Sequence, residues 1–379
     1  MKIALTGGGT GGHFYPLIAV AEEIYNITRE DKLLEPHLYY IGPDVHDARA
    51  LSEQNIEFKK SPAGKMRKYF SVLNFTDLLK TAVGIVKATI QLYFLYPDVV
   101  FSKGGYAAFP TTVAARLLRI PLIVHESDAH PGKANLIAAK WARGVATSYP
   151  GAAKHFGGIP EEKFALTGNP IRSALFIPVR EGAHNYLGMD PDVPTILILG
   201  GSTGAAAINK MILNALPLLV ENYQVIHQVG KENIDHVNDV ASVVLQDNPH
   251  AGRYKVFGYL NQLALRMSAG IASIVITRAG SSAIAEVAGW GLPAIVIPIP
   301  GEVSHDQTDN AFTYARTGAA TVMKQKNLTP NLLVSEVERI MGDAEIQSAM
   351  TEAASKFAKP DAARKIARML LDIGLEHED

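Results

Sequence analysis

The 379-residue sequence contains no cysteine. Disulfide bonds, thiolate nucleophiles and cysteine-ligated zinc sites are therefore excluded. The chain also has almost no net charge, since 36 basic and 37 acidic residues give a formal charge of −1. Nothing in this charge balance indicates a nucleic-acid partner. No uninterrupted apolar stretch approaches the roughly 20 residues that span a bilayer, and the first apolar run, residues 3–5, is too short for a signal peptide. These absences predict a cytosolic protein that associates with membranes at most peripherally.

Positive charge is concentrated in one segment. From Lys59 to Lys103, eight basic residues stand against Asp77 and Asp98, which gives this segment a local net charge of +6. Aromatic and basic side chains interleave over residues 65–76, a mixture typical of interfacial membrane binding. We predict that this stretch is a patch for an anionic membrane surface. Its members are Lys65, Arg67, Lys68, Phe70 and Phe75.

A helical pattern follows over residues 77–94, and two interpretations of it stay open. The helix could pack on a sheet as a core element, or it could extend the membrane surface. Lys80, Gly84, Lys87 and Gln91 share one face. The apolar face consists of Leu79, Val83, Val86, Ile90 and Tyr93.

Short apolar runs alternate with helical patterns along the whole chain, which is typical of an α/β doubly wound fold. The length favours two domains, and the Pro- and Gly-containing stretch after Arg172 is the predicted connection. We predict an N-terminal domain over residues 1–172, a C-terminal domain over 173–358, and a last helix, about 359–375, that packs back on the first domain. The predicted strands are Lys2–Thr6, His37–Ile41, Asp98–Phe101, Leu122–His125, Val145–Thr147, Phe164–Thr167, Thr195–Leu199, Gln224–Gln228, Tyr254–Phe257, Ser273–Thr277 and Ala294–Pro298.

Each half opens with a strand, a glycine-rich loop and a helix. The loops are Gly7–His13 and Gly200–Ala205. Glycine lets the backbone turn sharply and approach a ligand, and the N-terminus of the following helix favours an anion. The pair of units predicts two nucleotide-fold domains that face each other across a ligand cleft. The pattern Gly7-x-Gly9-x-x-Gly12 also matches a dinucleotide site, but the nearest acidic residue, Asp44, is too far along for the ribose contact.

Polar residues follow the strands of the first half. His13 should lie in the first turn of its helix, where it could pack or cap the helix. The positive helix end also favours a neutral imidazole, so His13 could instead act as a general base. Gly104, Gly105 and Tyr106 follow another strand end and could line the ligand site, or could form a plain turn. Alternatives stay open in the same way for the carboxylate Glu126, which could orient a base or cap a helix.

The second half carries a candidate nucleotide site. Small residues from Ser281 onward open a helix and suit a diphosphate, and Glu286 could accept hydrogen bonds from two ribose hydroxyls. Gln307 is a neutral bidentate group suited to sugar hydroxyls. A metal site is not expected, since the only Asp-x-Asp pattern, Asp190 to Asp192, lies in the predicted linker.

Taken in order, these motifs resemble the MurG family of UDP-N-acetylglucosamine:N-acetylmuramyl-(pentapeptide) pyrophosphoryl-undecaprenol N-acetylglucosamine transferases. The resemblance covers essentially the whole chain. The motifs that carry it are Gly8-Gly9-Thr10-Gly11-Gly12-His13, Pro97-Asp98-Val99-Val100, Gly104-Gly105-Tyr106, His125-Glu126, Gly168-Asn169-Pro170-Ile171-Arg172, Gly200-Gly201-Ser202 and Glu286 with Gly291-Leu292-Pro293.

The resemblance implies a GT-B fold and an inverting transfer of GlcNAc from UDP-GlcNAc to the C4 hydroxyl of the muramyl sugar. Lipid I, undecaprenyl-pyrophosphoryl-MurNAc-pentapeptide, would become lipid II at the cytoplasmic face of the cell membrane, with no cofactor and no metal. His13 and Glu126 would be catalytic. The substrate-binding positions carried over are Thr10, Gly11, Gly12, Asp128, Asn135, Arg172, Ser202, Leu260, Ser281, Ser282, Ala283, Ile284, Ala285, Glu286 and Gln307, and Gly104 to Tyr106 would form an acceptor loop.

Some positions depart from the family pattern. Ser127-Asp128 stands where the family usually has Gln-Asn, and Thr203 stands where it usually has Gln. The alternatives are a related glycolipid glycosyltransferase such as one acting on diacylglycerol, a UDP-GlcNAc epimerase of the same fold, or a non-catalytic nucleotide-sugar-binding subunit.

Overall fold

The computed structural model describes residues 1–65, 73–201, 206–301 and 306–376. It divides into two compact units. Unit 1 comprises Met1–Arg172 and Lys359–Asp379, and unit 2 comprises Ser173–Ala358.

Unit 1 is built on a seven-stranded parallel sheet with the order β3-β2-β1-β4-β5-β6-β7. Its strands are β1 (Lys2–Thr6), β2 (His37–Gly42), β3 (Ile56–Lys60), β4 (Val99–Ser102), β5 (Leu122–Glu126), β6 (Gly144–Thr147) and β7 (Phe164–Leu166). Its helices are α1 (Gly11–Glu30), α2 (Ala48–Glu53), α3 (Leu73–Leu95), α4 (Phe109–Leu117), α5 (Lys133–Ala138) and α14 (Ala362–Leu375). The strand order reverses between β1 and β4, which is where open α/β sheets bind ligands.

Unit 2 has a six-stranded parallel sheet with the order β10-β9-β8-β11-β12-β13. Its strands are β8 (Thr195–Leu199), β9 (Gln224–Gln228), β10 (Tyr254–Phe257), β11 (Ala272–Thr277), β12 (Ala294–Val296) and β13 (Ala320–Val322). Its helices are α6 (Ala183–Leu187), α7 (Ala206–Asn222), α8 (Ile234–Val244), α9 (Gln262–Ile271), α10 (Ser281–Trp290), α11 (Thr308–Ala315), α12 (Pro330–Met341) and α13 (Ala344–Phe357). Here the order reverses between β8 and β11.

The central strands form because their residues are apolar on both faces. β4 and β8 are buried at every position, as expected for parallel strands covered by helices on both sides. The edge strands β3 and β13 were not predicted from the sequence. Both are partly exposed. β3 carries three charged residues among its five, and β13 has only three residues, so neither provides the long apolar run that marks a buried strand.

Helix α14 packs against α1 within unit 1. Ion pairs join Arg364 to Glu23 and Glu30, and join Arg368 to Asp31. Beneath them, the apolar face of α14 enters the same core as β1 and α1. The last helix is thus part of the first unit.

Helix α3 turns its apolar face outward. The buried residues along it include Gly84, Ala88 and Leu92, and a Cβ at Gly84 would lie 1.9 Å from the carbonyl oxygen of Pro62. The small residues therefore let the helix lie close to the rest of the unit. The large apolar residues are exposed by more than half: Phe75, Leu78, Leu79, Val83, Val86, Ile90, Tyr93 and Phe94. We call these eight residues the α3 stripe. One interpretation from the sequence was that the apolar face of this helix packs on a sheet as a core element. This interpretation is wrong, because that face is exposed.

Within the described residues, one helix segment, Phe75–Leu95, is long and apolar enough to cross a membrane by length and composition, with a mean hydropathy of 1.4. The sequence analysis predicted none. Only 17% of the window is buried, so the segment is a surface helix rather than a core helix.

Candidate active site

Two glycine loops meet at the switch point of unit 1. They follow β1 and β4, and Gly8, Gly9, Gly104 and Gly105 all have positive φ angles between 78° and 116°. A Cβ at Gly9 would lie 2.7 Å from a ring carbon of Tyr106. The loops are in contact because glycine leaves room for it, and side chains at these positions would be strained as well as crowded.

His13 lies where the two loops join. It occupies the first turn of α1, and its Nδ1 is 2.9 Å from the hydroxyl oxygen of Thr10. A Cβ at Gly105 would lie 3.5 Å from His13 Nε2. The ring therefore presents Nε2 to the β4 loop, at the edge of the sheet where a ligand would sit.

Glu126 ends β5 and is buried. Three N–H groups donate to its carboxylate: the backbone of Asp128 at 2.9 Å, the backbone of Gly132 at 3.0 Å and the side chain of Asn135 at 2.9 Å. Burial raises the pKa of Glu126, and so does the charge of Asp128, while the N–H donors lower it. Through these three hydrogen bonds, the carboxylate of Glu126 holds the loop 126–135 in place.

A buried lysine stands beside this carboxylate. Lys103 is 1% exposed, and its Nζ donates to the hydroxyl of Ser127 at 2.7 Å. Burial lowers the pKa of Lys103, and the charges of Glu126 and Asp128 oppose this effect. Lys103 was counted in the surface basic segment predicted from the sequence, and this is wrong, because the side chain lies inside unit 1.

His125 is also buried, and its Nε2 lies 2.9 Å from the carbonyl oxygen of Gly168. Since a carbonyl can only accept, Nε2 carries the proton. Burial and the charge of Lys103 hold the pKa of His125 well below its usual value. His125 is therefore a neutral structural donor that joins β5 to the segment after β7.

Several predicted binding residues occupy defined positions in unit 1. Thr10 and Gly12 are exposed, Gly11 is partly exposed, and Asp128 is half-buried. Asn135 is buried and donates to Glu126 and to the carbonyl of His125. Arg172 ends unit 1, with its guanidinium 5.0 Å from the centre of the Tyr15 ring on α1. Of these, Thr10 is hydrogen-bonded to His13, and Asn135 donates to Glu126. Both candidate catalytic side chains are therefore held by a predicted binding residue.

The candidate nucleotide site of unit 2 lies at the N-terminus of α10. Gly280 is the N-cap residue and offers no side chain to the first turn, so the first N–H groups, from Ser281 to Ala283, point toward the helix entrance. Gln307 is close by, since a Cβ at Gly280 would lie 3.4 Å from its Nε2. The side-chain oxygen of Gln307 accepts from the backbone N–H of Ile299 at 3.3 Å.

The other predicted residues of unit 2 differ in what they can offer. Ile284 packs in the core, and its N–H is bonded to the carbonyl of Gly280, so it has no group left for a ligand. Ala285 and Glu286 follow on α10 and are partly exposed. Leu260 is buried and its N–H donates to the side chain of Gln228 at 3.2 Å, so this N–H is already used within the protein.

Some predicted residues lie outside the described part of the chain. These are Ser202, Arg67, Lys68 and Phe70. The two ends of the predicted membrane patch are described, and both Lys65 and Phe75 are exposed. In the described ranges, no group of three or more histidine and acidic side chains is placed to hold a metal ion.

Sequence reasoning missed Lys103 as a site residue. The signal available was its position, directly after an apolar strand and directly before a glycine pair. It also missed Tyr40, whose hydroxyl donates to the carbonyl of Gly7 at 2.9 Å and so supports the first loop from β2.

Both halves of the chain match models of one glycosyltransferase family. Residues 3–147 match the N-terminal domain of glycosyltransferase family 28, and residues 195–366 match its C-terminal domain. The two matched regions contain the two switch points described above.

Relatives and solved structures agree with this assignment. The UDP-N-acetylglucosamine--N-acetylmuramyl-(pentapeptide) pyrophosphoryl-undecaprenol N-acetylglucosamine transferase of Treponema denticola is 33% identical over 97% of this chain and 96% of its own length. The crystal structure of Acinetobacter baumannii MurG covers 98% of this chain and 99% of its own, with a TM-score of 0.73 and 24% identity. A UDP-GlcNAc 2-epimerase from Neisseria meningitidis, bound to UDP-GlcNAc, covers 98% of this chain and 100% of its own, with a TM-score of 0.69 and 15% identity.

The epimerase shares the fold alone, whereas the transferase of Treponema denticola is related over nearly the full length. The predicted fold class, α/β of the GT-B type with two Rossmann-like domains, is confirmed. So is the predicted enzyme class, an N-acetylglucosaminyltransferase of peptidoglycan synthesis. The chain belongs to glycosyltransferase family 28 and, within it, to the family of UDP-N-acetylglucosamine--N-acetylmuramyl-(pentapeptide) pyrophosphoryl-undecaprenol N-acetylglucosamine transferases.

Proposed function

We propose that unit 1 binds lipid I and supplies the base, and that unit 2 binds UDP-GlcNAc, for a transfer that gives lipid II. The observation that carries this assignment is the position of His13 at the junction of the two glycine loops of unit 1. His13 Nε2 takes the proton of the C4 hydroxyl while this oxygen attacks the anomeric carbon of GlcNAc. The bond from that carbon to UDP breaks, UDP leaves with the electron pair, and the configuration inverts.

In unit 2, the first N–H groups of α10 bind the diphosphate, where the helix end favours negative charge. Glu286 accepts from the ribose hydroxyls, the Leu260 carbonyl accepts from the uracil ring, and Gln307 contacts the GlcNAc hydroxyls. Support for Gln307 comes from its position beside Gly280 at the helix entrance.

The decisive assay supplies purified protein with several UDP-sugars and a short-chain lipid I analogue. We expect a disaccharide product only with UDP-GlcNAc and no conversion of UDP-GlcNAc to its 2-epimer. His13→Ala should bind UDP as the parent does in calorimetry yet lose about 10²–10⁴-fold in kcat, because it lacks the base. Near-parental kcat in this variant would contradict the role of His13, while epimer formation would contradict the proposed transfer itself.

We further propose that unit 1 docks on an anionic membrane through the α3 stripe. Exposed apolar side chains run from Phe75 to Phe94, a length of about 28 Å along the helix. Exposed Lys65, Lys80 and Lys87 accompany them. A helix of this kind lies in the interface with its apolar side buried, and each nearby basic residue adds about 1 kcal/mol on an anionic surface. Since the nucleotide sugar is a cytoplasmic substrate, the enzyme works on the cytoplasmic face of the cell membrane.

The membrane proposal is tested with Leu79→Gln, Val86→Gln and Ile90→Gln combined. We expect the variant to stop sedimenting with phosphatidylglycerol vesicles while it still turns over a detergent-soluble acceptor. Val243→Gln is the matched control, because Val243 is 71% exposed on unit 2. Unchanged sedimentation of the triple variant would show that the α3 stripe does not bind the membrane.

A further inference from the structure

A lysine that lies fully inside a domain needs a reason, because a buried ammonium loses its hydration. Lys103 lies at the carboxyl end of β4, 1% exposed, and a Cβ at Gly7 would be 3.0 Å from its Cβ. Its ammonium donates a hydrogen bond to the hydroxyl of Ser127 at 2.7 Å. The lysine is thus enclosed between the first glycine loop and the segment that follows β5.

The charges around Lys103 explain its placement. Glu126 and Asp128 both act on it as neighbouring negative charges. The other titratable neighbours are His125, on which Lys103 acts, and His13, which acts on His125 as well. One ammonium therefore stands near two carboxylates and His125 at the carboxyl edge of the sheet.

The geometry at Glu126 favours the anion. Its two oxygens accept three N–H donors, from Asp128, Gly132 and Asn135, and a protonated carboxyl would offer a donor of its own where these donors point. Burial and the charge of Asp128 both favour the protonated form. The three N–H donors oppose them. The charge of Glu126 acts on Lys103, and because the interaction of two charges is reciprocal, the ammonium of Lys103 also favours the anion.

We propose that Lys103 is a positioning residue of the transferase: its ammonium adds to the three N–H donors in keeping Glu126 anionic, and Glu126 then holds the loop 126–135 in its place beside His13 and the β4 glycines. Ser127 fixes the ammonium, and Asp128 is the second carboxylate that Lys103 balances. The catalytic consequence rests on the proposal that this edge of unit 1 takes the acceptor.

A direct titration tests the charge coupling without any assay of turnover. In protein with ¹³C-labelled glutamate carboxyls, the Glu126 resonance is assigned by its loss in Glu126→Gln. We expect this resonance to titrate at higher pH in Lys103→Met than in the parent, at lower pH in Asp128→Asn, and near the parental pH in the double variant. Should Lys103→Met fail to fold in a thermal melt, the effect of Lys103 is measured by comparing the double variant with Asp128→Asn, and we expect Glu126 to titrate at higher pH in the double variant. A Glu126 titration that either folded variant leaves unchanged would overturn the proposal.

Kinetics test the consequence for catalysis. Lys103→Met should lower kcat at neutral pH by about 10²-fold, the size of loss that a misplaced site produces, and adding Asp128→Asn should recover at least tenfold. Ser127→Ala retains the charge of Lys103. It should therefore lower kcat less than Lys103→Met does, and Glu126 should titrate near the parental pH. If the double variant is no more active than Lys103→Met, the positioning role is wrong. If the parent itself makes no disaccharide, the proposed function fails instead, while the titration still reports on Lys103.

Discussion

The hydroxyl of Thr10 lies 2.9 Å from Nδ1 of His13, at the first turn of α1. Thr10 is the N-cap residue of this helix, yet its side chain makes no capping hydrogen bond. The hydroxyl is directed to the imidazole instead. For His13 to act as a base through Nε2, Nδ1 must carry the proton and donate it to Thr10.

This relationship predicts that Thr10→Val lowers kcat by roughly five- to tenfold, the effect of losing one hydrogen bond of about 1 kcal/mol that fixes the tautomer. Thr10→Ser retains the hydroxyl and should keep most of the activity. Steady-state kinetics with a soluble lipid I analogue measure both. Equal losses in the two variants would indicate that the methyl group, not the hydroxyl, supports the site.

Glu286→Ala should raise the KM for UDP-GlcNAc with a smaller effect on kcat. A carboxylate that accepts from ribose hydroxyls binds the ground state and the transition state alike, and its loss costs roughly 1.5–3 kcal/mol. Calorimetric titration of UDP measures the change. The control is Glu345→Ala, since Glu345 is exposed on the same unit. Parental UDP affinity in Glu286→Ala would place this residue outside the nucleotide site.

Charge reversal at Lys65, Arg67 and Lys68 should weaken sedimentation with anionic vesicles and make the remaining binding less dependent on salt. Basic residues near the surface are screened by salt, whereas the apolar α3 stripe is not. Lys210, Lys326 and Lys356 changed to Glu provide the same charge change on exposed positions of unit 2. If both triple variants lose sedimentation equally, the effect comes from net charge and not from the predicted patch.

Stability should fall on acidification because of His227. Burial in unit 2 lowers the pKa of His227 from 6.5 to about 3. Between these two pH values, the imidazole is protonated in the unfolded chain but neutral in the folded protein. The contribution of the neutral ring is complete above pH 6.5 and is lost as the pH falls toward 3, by at most about 1.4 kcal/mol per pH unit.

Melting temperatures between pH 7.5 and 4.5 check this expectation. His227→Asn should have a lower Tm at neutral pH but a flatter decline with acid, because no buried imidazole remains to be protonated. His236→Asn changes an exposed histidine of the same unit and should leave the slope unaltered. An unchanged slope in His227→Asn would show that other groups govern the acid sensitivity.

Much of the fold could be predicted because central parallel strands are continuous apolar runs. All eleven predicted strands correspond to strands of the structure, with ends that differ by one or two residues in several cases. The two strands missed, Ile56–Lys60 and Ala320–Val322, lie at sheet edges. β3 carries three charged residues among its five, and β13 has only three residues, so neither provides the long apolar run on which the prediction depends.

The site was predictable where its parts are consecutive in the chain. His13 follows its glycine loop directly, and Gly104 and Gly105 follow a strand, so local sequence alone placed them at the carboxyl edge. The environment of Lys103 could not be predicted in this way. A lysine after a strand is ordinarily exposed, and only the pairing of β4 with β1 and β5 encloses this one beside Ser127.

The sequence by itself determined the α/β alternation, the glycine loops, the family and the amphipathic character of α3. Tertiary structure decided which face of α3 is buried, because the close approach of Pro62 to Gly84 can be made only by the side with small residues. It also decided that the carboxylate of Glu126 accepts hydrogen bonds from three N–H groups of its own loop. The first outcome depends on a contact between two separate segments of the chain, and the second depends on how the loop 126–135 folds back on the end of β5. The sequence pattern contains the distances of neither.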